Sequence, residues 1–226
     1  MGKVTIMPWT TKEPITMIGI CAAVCVGADT SDAVKNYQRG WDCITSGHGR
    51  TLEFPDVYMT LEGYSARVMR EWYTHIGCLP TRLQASTRYI DYGEFEYIIP
   101  KSIKDDSVAL KEYECCMRNI RDVAQFLEYE CKIPREDVAN LFPLGMESVM
   151  IDKRNLRNLI DMSHNRKCTK AMWEFREMFI DVENALIEYG ADSGEWETIV
   201  RTQFVPKCEL TGYCNEKKGC GRKPKK

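Results

Sequence analysis

Between Trp72 and Tyr92 the chain reads WYTHIGCLPTRLQASTRYIDY, and this stretch gathers groups suited to holding a phosphate monoester or a nucleotide. His75, Arg82 and Arg88 stand among the hydroxyls of Thr74, Thr81, Ser86 and Thr87, and no carboxylate intervenes between Trp72 and Tyr89. A guanidinium donates two parallel N–H bonds to an anionic group and hydroxyls add further donors, so the set matches phosphate oxygens. Gly77 and Pro80 interrupt any helix that runs into the segment, which therefore begins as loop. The competing reading is a solvated polar loop with two surface arginines.

The elements that must position these groups fit a chain of 226 residues with one sizeable core. Lys plus Arg (31) nearly balances Asp plus Glu (33), and a formal charge of -2 gives no general attraction to nucleic acid or to an anionic membrane. Any anion site is therefore local. The most apolar run, Met17 to Ala28, is too short to span a bilayer and lacks the charged start of a signal peptide. Eleven cysteines, an odd number in a chain this large, read as reduced thiols of a cytoplasmic protein rather than a disulfide framework. Three histidines, at 48, 75 and 164, are too few for a histidine-rich metal centre, and no metal site is expected.

The apolar run at 17–26 reads as a buried helix. A second helix starts at the cap TSD near Thr30, places Val34, Tyr37, Trp41 and Ile44 on one face, and ends by Gly47. Val57, Met59 and Leu61 alternate with Tyr58 and Thr60 as in a strand. The spacing of Val68, Met69, Trp72, Tyr73 and Ile76 predicts a helix over 65–76 that carries His75 at its end. Phe95 to Ile99 reads as a strand stopped by Pro100. A long scaffold helix follows over about 106–131, then a short one in PREDVANLF, a brief strand over 148–151, and helices over 155–166, 169–189 and EWETIVRTQF. Residues 1–206 are taken as one catalytic domain and 207–226 as a Cys- and Lys-rich tail. In that tail Cys208, Cys214 and Cys220 are spaced six apart, which is not the close pairing usual in structural zinc sites.

Four segments, GHGRTLEF (47–54), REWYTH (70–75), QASTRY (84–89) and NLRNLIDMSHNR (155–166), taken in this order, resemble the flavin-dependent thymidylate synthases. The family signature is arginine-histidine-arginine, then a spacer and a serine. Here Thr74-His75-Ile76 occupies its first part, nine residues separate it from Ser86, and both signature arginines are absent. The resemblance implies a single-domain α+β fold with a mixed or antiparallel sheet and long packed helices, assembled as a homotetramer with sites formed between subunits.

The same resemblance implies the site. Gln84, Ser86, Arg88, Arg166 and Glu71 form the substrate set, with Ser86 and Arg88 on the phosphate of deoxyuridine monophosphate (dUMP) and Arg166 at the uracil. His48, Thr51, His75, Arg157 and Asp161 are the flavin contacts, and Arg82 is a replacement cation for the missing arginines. Arg166 and His48 are the candidate catalytic residues. An Arg and a Ser two residues apart on an extended segment would point to the same side of the chain. Ordinary roles compete with these: His48 as a cap of helix-end carbonyls, and Arg157 paired with Asp161 four residues on.

The implied reaction is reductive methylation of dUMP to thymidylate with FAD, methylenetetrahydrofolate as carbon donor and NADPH as reductant. No nucleic acid and no membrane partner is expected. The rivals are a nucleotide hydroxymethylase or inactive relative on the same scaffold, and a zinc-stapled nucleic-acid-binding protein that uses the tail.

Overall fold

In the computed structural model, which describes residues 2–226, the alternation around Val57 becomes the second strand of a four-stranded antiparallel sheet. The strands are β1 (Lys3–Ile6), β2 (Asp56–Ser65), β3 (Thr81–Gln84) and β4 (Glu147–Asn155), in the order β1-β2-β4-β3. Val57, Met59 and Leu61 are fully buried while Tyr58, Thr60 and Glu62 are partly exposed, as the period of a pleated strand requires. The helices are α1 (Pro14–Val26), α2 (Ala33–Thr45), α3 (Ala66–Tyr73), α4 (Lys101–Lys104), α5 (Ser107–Gln125), α6 (Arg135–Val138), α7 (Leu156–Arg166), α8 (Trp173–Tyr189), α9 (Glu195–Gln203) and α10 (Lys207–Thr211). None among the described residues is long and apolar enough to cross a membrane.

One main core joins the sheet to α1, α3, α7, α8 and α9 through residues such as Ile18, Met59, Trp72, Leu159, Phe179 and Trp196. α1 and α2 pack with almost no separation. A Cβ on Gly19 would lie 1.8 Å from the carbonyl oxygen of Asn36, and one on Gly40 would lie 1.9 Å from that of Ile15. The first turn of α1 is closed from a distance, because the Glu195 carboxylate accepts the amides of Ile15 at 2.6 Å and Thr16 at 3.0 Å. A carboxylate there satisfies orphan donors and meets the positive end of the helix dipole. Ser65 caps α3 by accepting the Val68 amide at 3.1 Å, and buried Glu174 in turn takes both the amide and the hydroxyl of Ser65 at 2.6 Å.

Several expectations change. Phe95 to Ile99 is not a strand: it makes one isolated bridge, Tyr97 to Met146, and packs Phe95 into a satellite cluster with Met117 and Met146. The long helix ends in a π-helical turn, Phe126–Glu130, and α3 stops at Tyr73, short of the expected 76. The brief strand at 148–151 is the first half of the nine-residue β4, and β1 was not anticipated. The loop after Gly77 contains an edge strand, β3.

Candidate active site at the C-terminal end of α7

α7 starts where Asn155 accepts the Asn158 amide at 3.0 Å, and its two ends carry two different groups of polar residues. At the C-terminal end stands Arg166. Its Nε donates to Nε2 of His75 at 2.8 Å, and its Nη2 donates to Glu71 at 3.2 Å and to the Thr74 hydroxyl at 3.4 Å. The guanidinium lies 4.6 Å from the centre of the Phe175 ring, which also meets His75 edge-on. To accept from Arg166, Nε2 of His75 must be unprotonated. Burial, with the nearby charges of Arg166 and Arg154, pushes the imidazole pKa down to about 4 and so keeps it neutral.

A buried network holds the loop that carries His75. The fully buried Arg154 donates to both Asp152 oxygens and to Asn158, and lies 4.4 Å from the centre of the Trp72 ring. Asn158 donates onward to the carbonyls of Gly77 at 2.6 Å and His75 at 3.3 Å. None of Asp152, Arg154, Asn158 or Phe175 was anticipated as a site-building residue. The available signal was a charged pair, Asp152 and Arg154, on alternate positions of a strand entering a helix.

The N-terminal end of α7 faces the 3-10 turn Gly49–Glu53. Arg157 pairs with Glu53 at 2.6 Å rather than with Asp161, and this hydrogen bond raises its pKa, with smaller contributions from Cys78 and Asp161. The Asp161 carboxylate makes no side-chain hydrogen bond among the described residues. The carbonyl of His48 accepts the amide of Thr51 at 3.0 Å and its hydroxyl at 2.7 Å, and the imidazole caps no carbonyl. His48 and Thr51 line a groove of about 940 Å³ together with Val24, Val26, Phe54, Arg39 and Arg50.

The third group lies along β3. Gln84 donates to the Ser148 hydroxyl at 2.9 Å. Ser86 does not sit on an extended segment: its carbonyl accepts the amides of Tyr89 and Ile90, and its hydroxyl accepts the Arg88 amide at 3.2 Å, which makes a turn. Arg88 is exposed and pairs with Glu136 of α6 at 3.0 Å. Arg82 donates to the Tyr73 carbonyl at 3.0 Å and stacks 4.1 Å from the centre of the Tyr73 ring, while its buried Nε has no partner among the described residues. Glu71, His75 and Arg166 are thus brought together within one chain. Arg88 and Arg166 are not: Arg166 lines the cavity between the α7–α8 turn and the tail, and Arg88 does not.

The fold and these clusters define a small-ligand enzyme scaffold, and comparison with known proteins places it. Residues 9–188 match the family described as thymidylate synthase complementing protein. The chain is 28% identical over 195 residues to the flavin-dependent thymidylate synthase of Nitratidesulfovibrio vulgaris, covering 80% of this chain and 74% of the relative. It is 26% identical to that of Pyrococcus furiosus, covering 100% and 96%. The crystal structure of a Helicobacter pylori flavin-dependent thymidylate synthase complexed with FAD and dUMP shares the fold at a TM-score of 0.64 with 17% identity, over 87% of this chain and 98% of that one. The chain belongs to the thymidylate synthase complementing protein family, the flavin-dependent thymidylate synthases. This membership removes the nucleic-acid-binding rival.

Proposed function

We propose that the chain catalyses the reaction for which its family is named, the reductive methylation of dUMP to thymidylate. FAD is the cofactor, methylenetetrahydrofolate the carbon donor and NADPH the reductant. The observation that carries this reading is the Arg166 guanidinium, fixed by His75, Glu71 and the face of Phe175, with Nη1 making no hydrogen bond among the described residues. A donor oriented in this way stabilises negative charge that grows on a pyrimidine carbonyl oxygen during attack on the one-carbon unit. His75 and Glu71 hold the guanidinium plane so that no reorganisation is needed when that charge develops. Ser86 and Arg88 bind the phosphate, and the Gln84 amide beside them both donates and accepts.

The residues present suit a flavin dinucleotide. The groove beside His48 and Thr51 is large and mostly apolar, with a few polar groups, Arg39, His48, Arg50 and Thr51, among its lining, as in cofactor sites. Arg82 offers a buried Nε that lacks an acceptor, which fits its reading as the replacement cation. His48, Thr51, Arg157, Asp161 and Arg82 would hold the cofactor, with the remaining edge of the His75 ring. When bound, the flavin supplies the redox chemistry of the reaction.

In this reading Ser86 and Arg88 meet Arg166 across a subunit interface, in a homotetramer with composite sites. Free thiols throughout suit a reducing cytoplasm. One observation favours a second reading, nucleotide hydroxymethylation: Thr74 and Ile76 stand where the family signature has arginines. Incubation with dUMP, labelled methylenetetrahydrofolate and NADPH decides by product mass. Thymidylate is expected, hydroxymethyl product would establish the second reading, and no product would overturn both.

A further inference from the structure

The family match ends at residue 188, yet the chain beyond α9 returns to the C-terminal end of α7 and walls in a cavity there. α10 ends at Gly212, the Cys214 amide donates to the Pro224 carbonyl at 2.7 Å, and Lys223 pairs with Glu209 at 2.7 Å, so the tail is closed on itself. The opposite wall is the turn between α7 and α8. Arg176 fixes that turn by donating to the carbonyls of Thr169 at 2.6 Å and Ala171 at 3.1 Å.

Between the two walls lies a space of about 260 Å³. Arg166 and Lys170 line it from the side of the turn, and Lys207, Lys218 and Arg222 from the tail, against a single carboxylate, Glu216. Lys170, Lys207, Lys218 and Arg222 make no ion pair among the described residues. The other acid of the tail, Glu209, is committed to Lys223. Like charges that converge on one space repel, so closing the tail costs free energy that an anion seated between them recovers.

The donors and the volume narrow the anion. Guanidinium groups offer parallel N–H pairs and ammonium groups compact charges, a set that suits a phosphate monoester of charge about -1.5 to -2 better than a single carboxylate. The space is below the roughly 300–1,000 Å³ of a pocket for a whole small ligand, so it takes one group and leaves the rest of the molecule outside. Among the reactants proposed above, dUMP places its monoester on Ser86 and Arg88, FAD joins its phosphates in a pyrophosphate bridge, and methylenetetrahydrofolate carries carboxylates. The monoester left over is the 2′-phosphate of NADPH.

We propose that Lys170, Lys207, Lys218 and Arg222 bind the 2′-phosphate of the nicotinamide co-substrate and so select NADPH over NADH, an inference that rests on the reductant proposed above. Arg166 stays tied to His75 and Glu71, and its place on the same wall sets this subsite beside the proposed reaction centre.

The test compares two probes that differ by the 2′-phosphate alone, adenosine 2′,5′-bisphosphate and 5′-AMP, titrated calorimetrically into the full-length protein. The bisphosphate should bind wild type at least tenfold more tightly, as charge-assisted contacts to one phosphate imply. The advantage should disappear in the Lys218→Ala/Arg222→Ala double variant, whose substitutions are both at exposed positions, while affinity for dUMP stays at the wild-type value. The ratio of kcat/KM for NADPH to that for NADH should fall in parallel. Equal binding of the two probes by wild type, a double variant that keeps the advantage, or one that loses affinity for dUMP instead would each overturn the proposal. Neither probe needs turnover, so a chain that formed no thymidylate would still give this answer.

Discussion

Arg166, the last residue of α7, donates its Nε–H to Nε2 of His75 at 2.8 Å, so an imidazole kept neutral by burial sets the orientation of a guanidinium. The pair has a pH consequence with a definite sign. The folded pKa of about 4 lies below the unfolded value of 6.5, so the unfolded chain binds the proton more readily over that window. The stability contributed by His75 is complete above pH 6.5 and is lost as pH falls towards about 4, where protonation also repels Arg166. Urea denaturation midpoints taken across this range should fall for the wild type and flatten in His75→Gln, whose amide oxygen still accepts the bond.

Replacing Arg166 by alanine should lower kcat about 100-fold or more, the usual cost of removing a donor aimed at developing negative charge. Flavin content and the denaturation midpoint should stay close to wild type. Lysine at the same position should recover little, because a point charge cannot bond His75 and Glu71 in one plane. Steady-state kinetics beside flavin absorbance separates these effects.

Arg154 should matter through folding rather than through contact with substrate. It is fully buried with Asp152, and Arg154→Met leaves that carboxylate buried and unpaired. The expected loss is about 3–5 kcal/mol of stability. Asn158→Ala should cost less, but should raise KM as the His75–Gly77 segment loses its two carbonyl bonds. Denaturant unfolding and kinetics on the same preparations check both.

Gly40→Ala places a methyl group where the Ile15 carbonyl lies 1.9 Å away, so α1 and α2 must separate. A loss of about 1–3 kcal/mol or more is expected from such overpacking. A lowered thermal midpoint measures it, and the groove beside His48 should bind flavin less tightly because α1 and α2 both line it.

Much of this arrangement was legible in local pattern. The helical spacing before Thr74 and after Asn155, and the alternation around Met59, carry their own periodicity, and α3, α7 and β2 follow from it. The segments that recalibrated the site were decided by distant partners. Arg157 prefers Glu53 to its neighbour Asp161, because the 3-10 turn packs on α7, which no spacing rule encodes. The strand expected over 148–151 runs on to Asn155 because Asp152 and Arg154, charged residues at its continuation, neutralise each other out of sight of solvent. The segment 95–99 has a strand's composition but forms a single isolated bridge, Tyr97 to Met146, and no ladder. Ser86 and Arg88 take up a turn because the Ser86 hydroxyl captures the Arg88 amide, a local competition that an extended reading ignores.

The account rests most heavily on Arg88 and Arg166 serving one nucleotide from different copies of the chain. The direct measurement coexpresses Arg88→Ala and Arg166→Ala subunits carrying different tags, purifies the mixed oligomers and assays thymidylate formation. With random pairing across a twofold interface about a quarter of the sites regain both arginines, and activity near that fraction of wild type is expected from two subunits that are each inactive alone. Mixed oligomers as inactive as either parent would contradict the account.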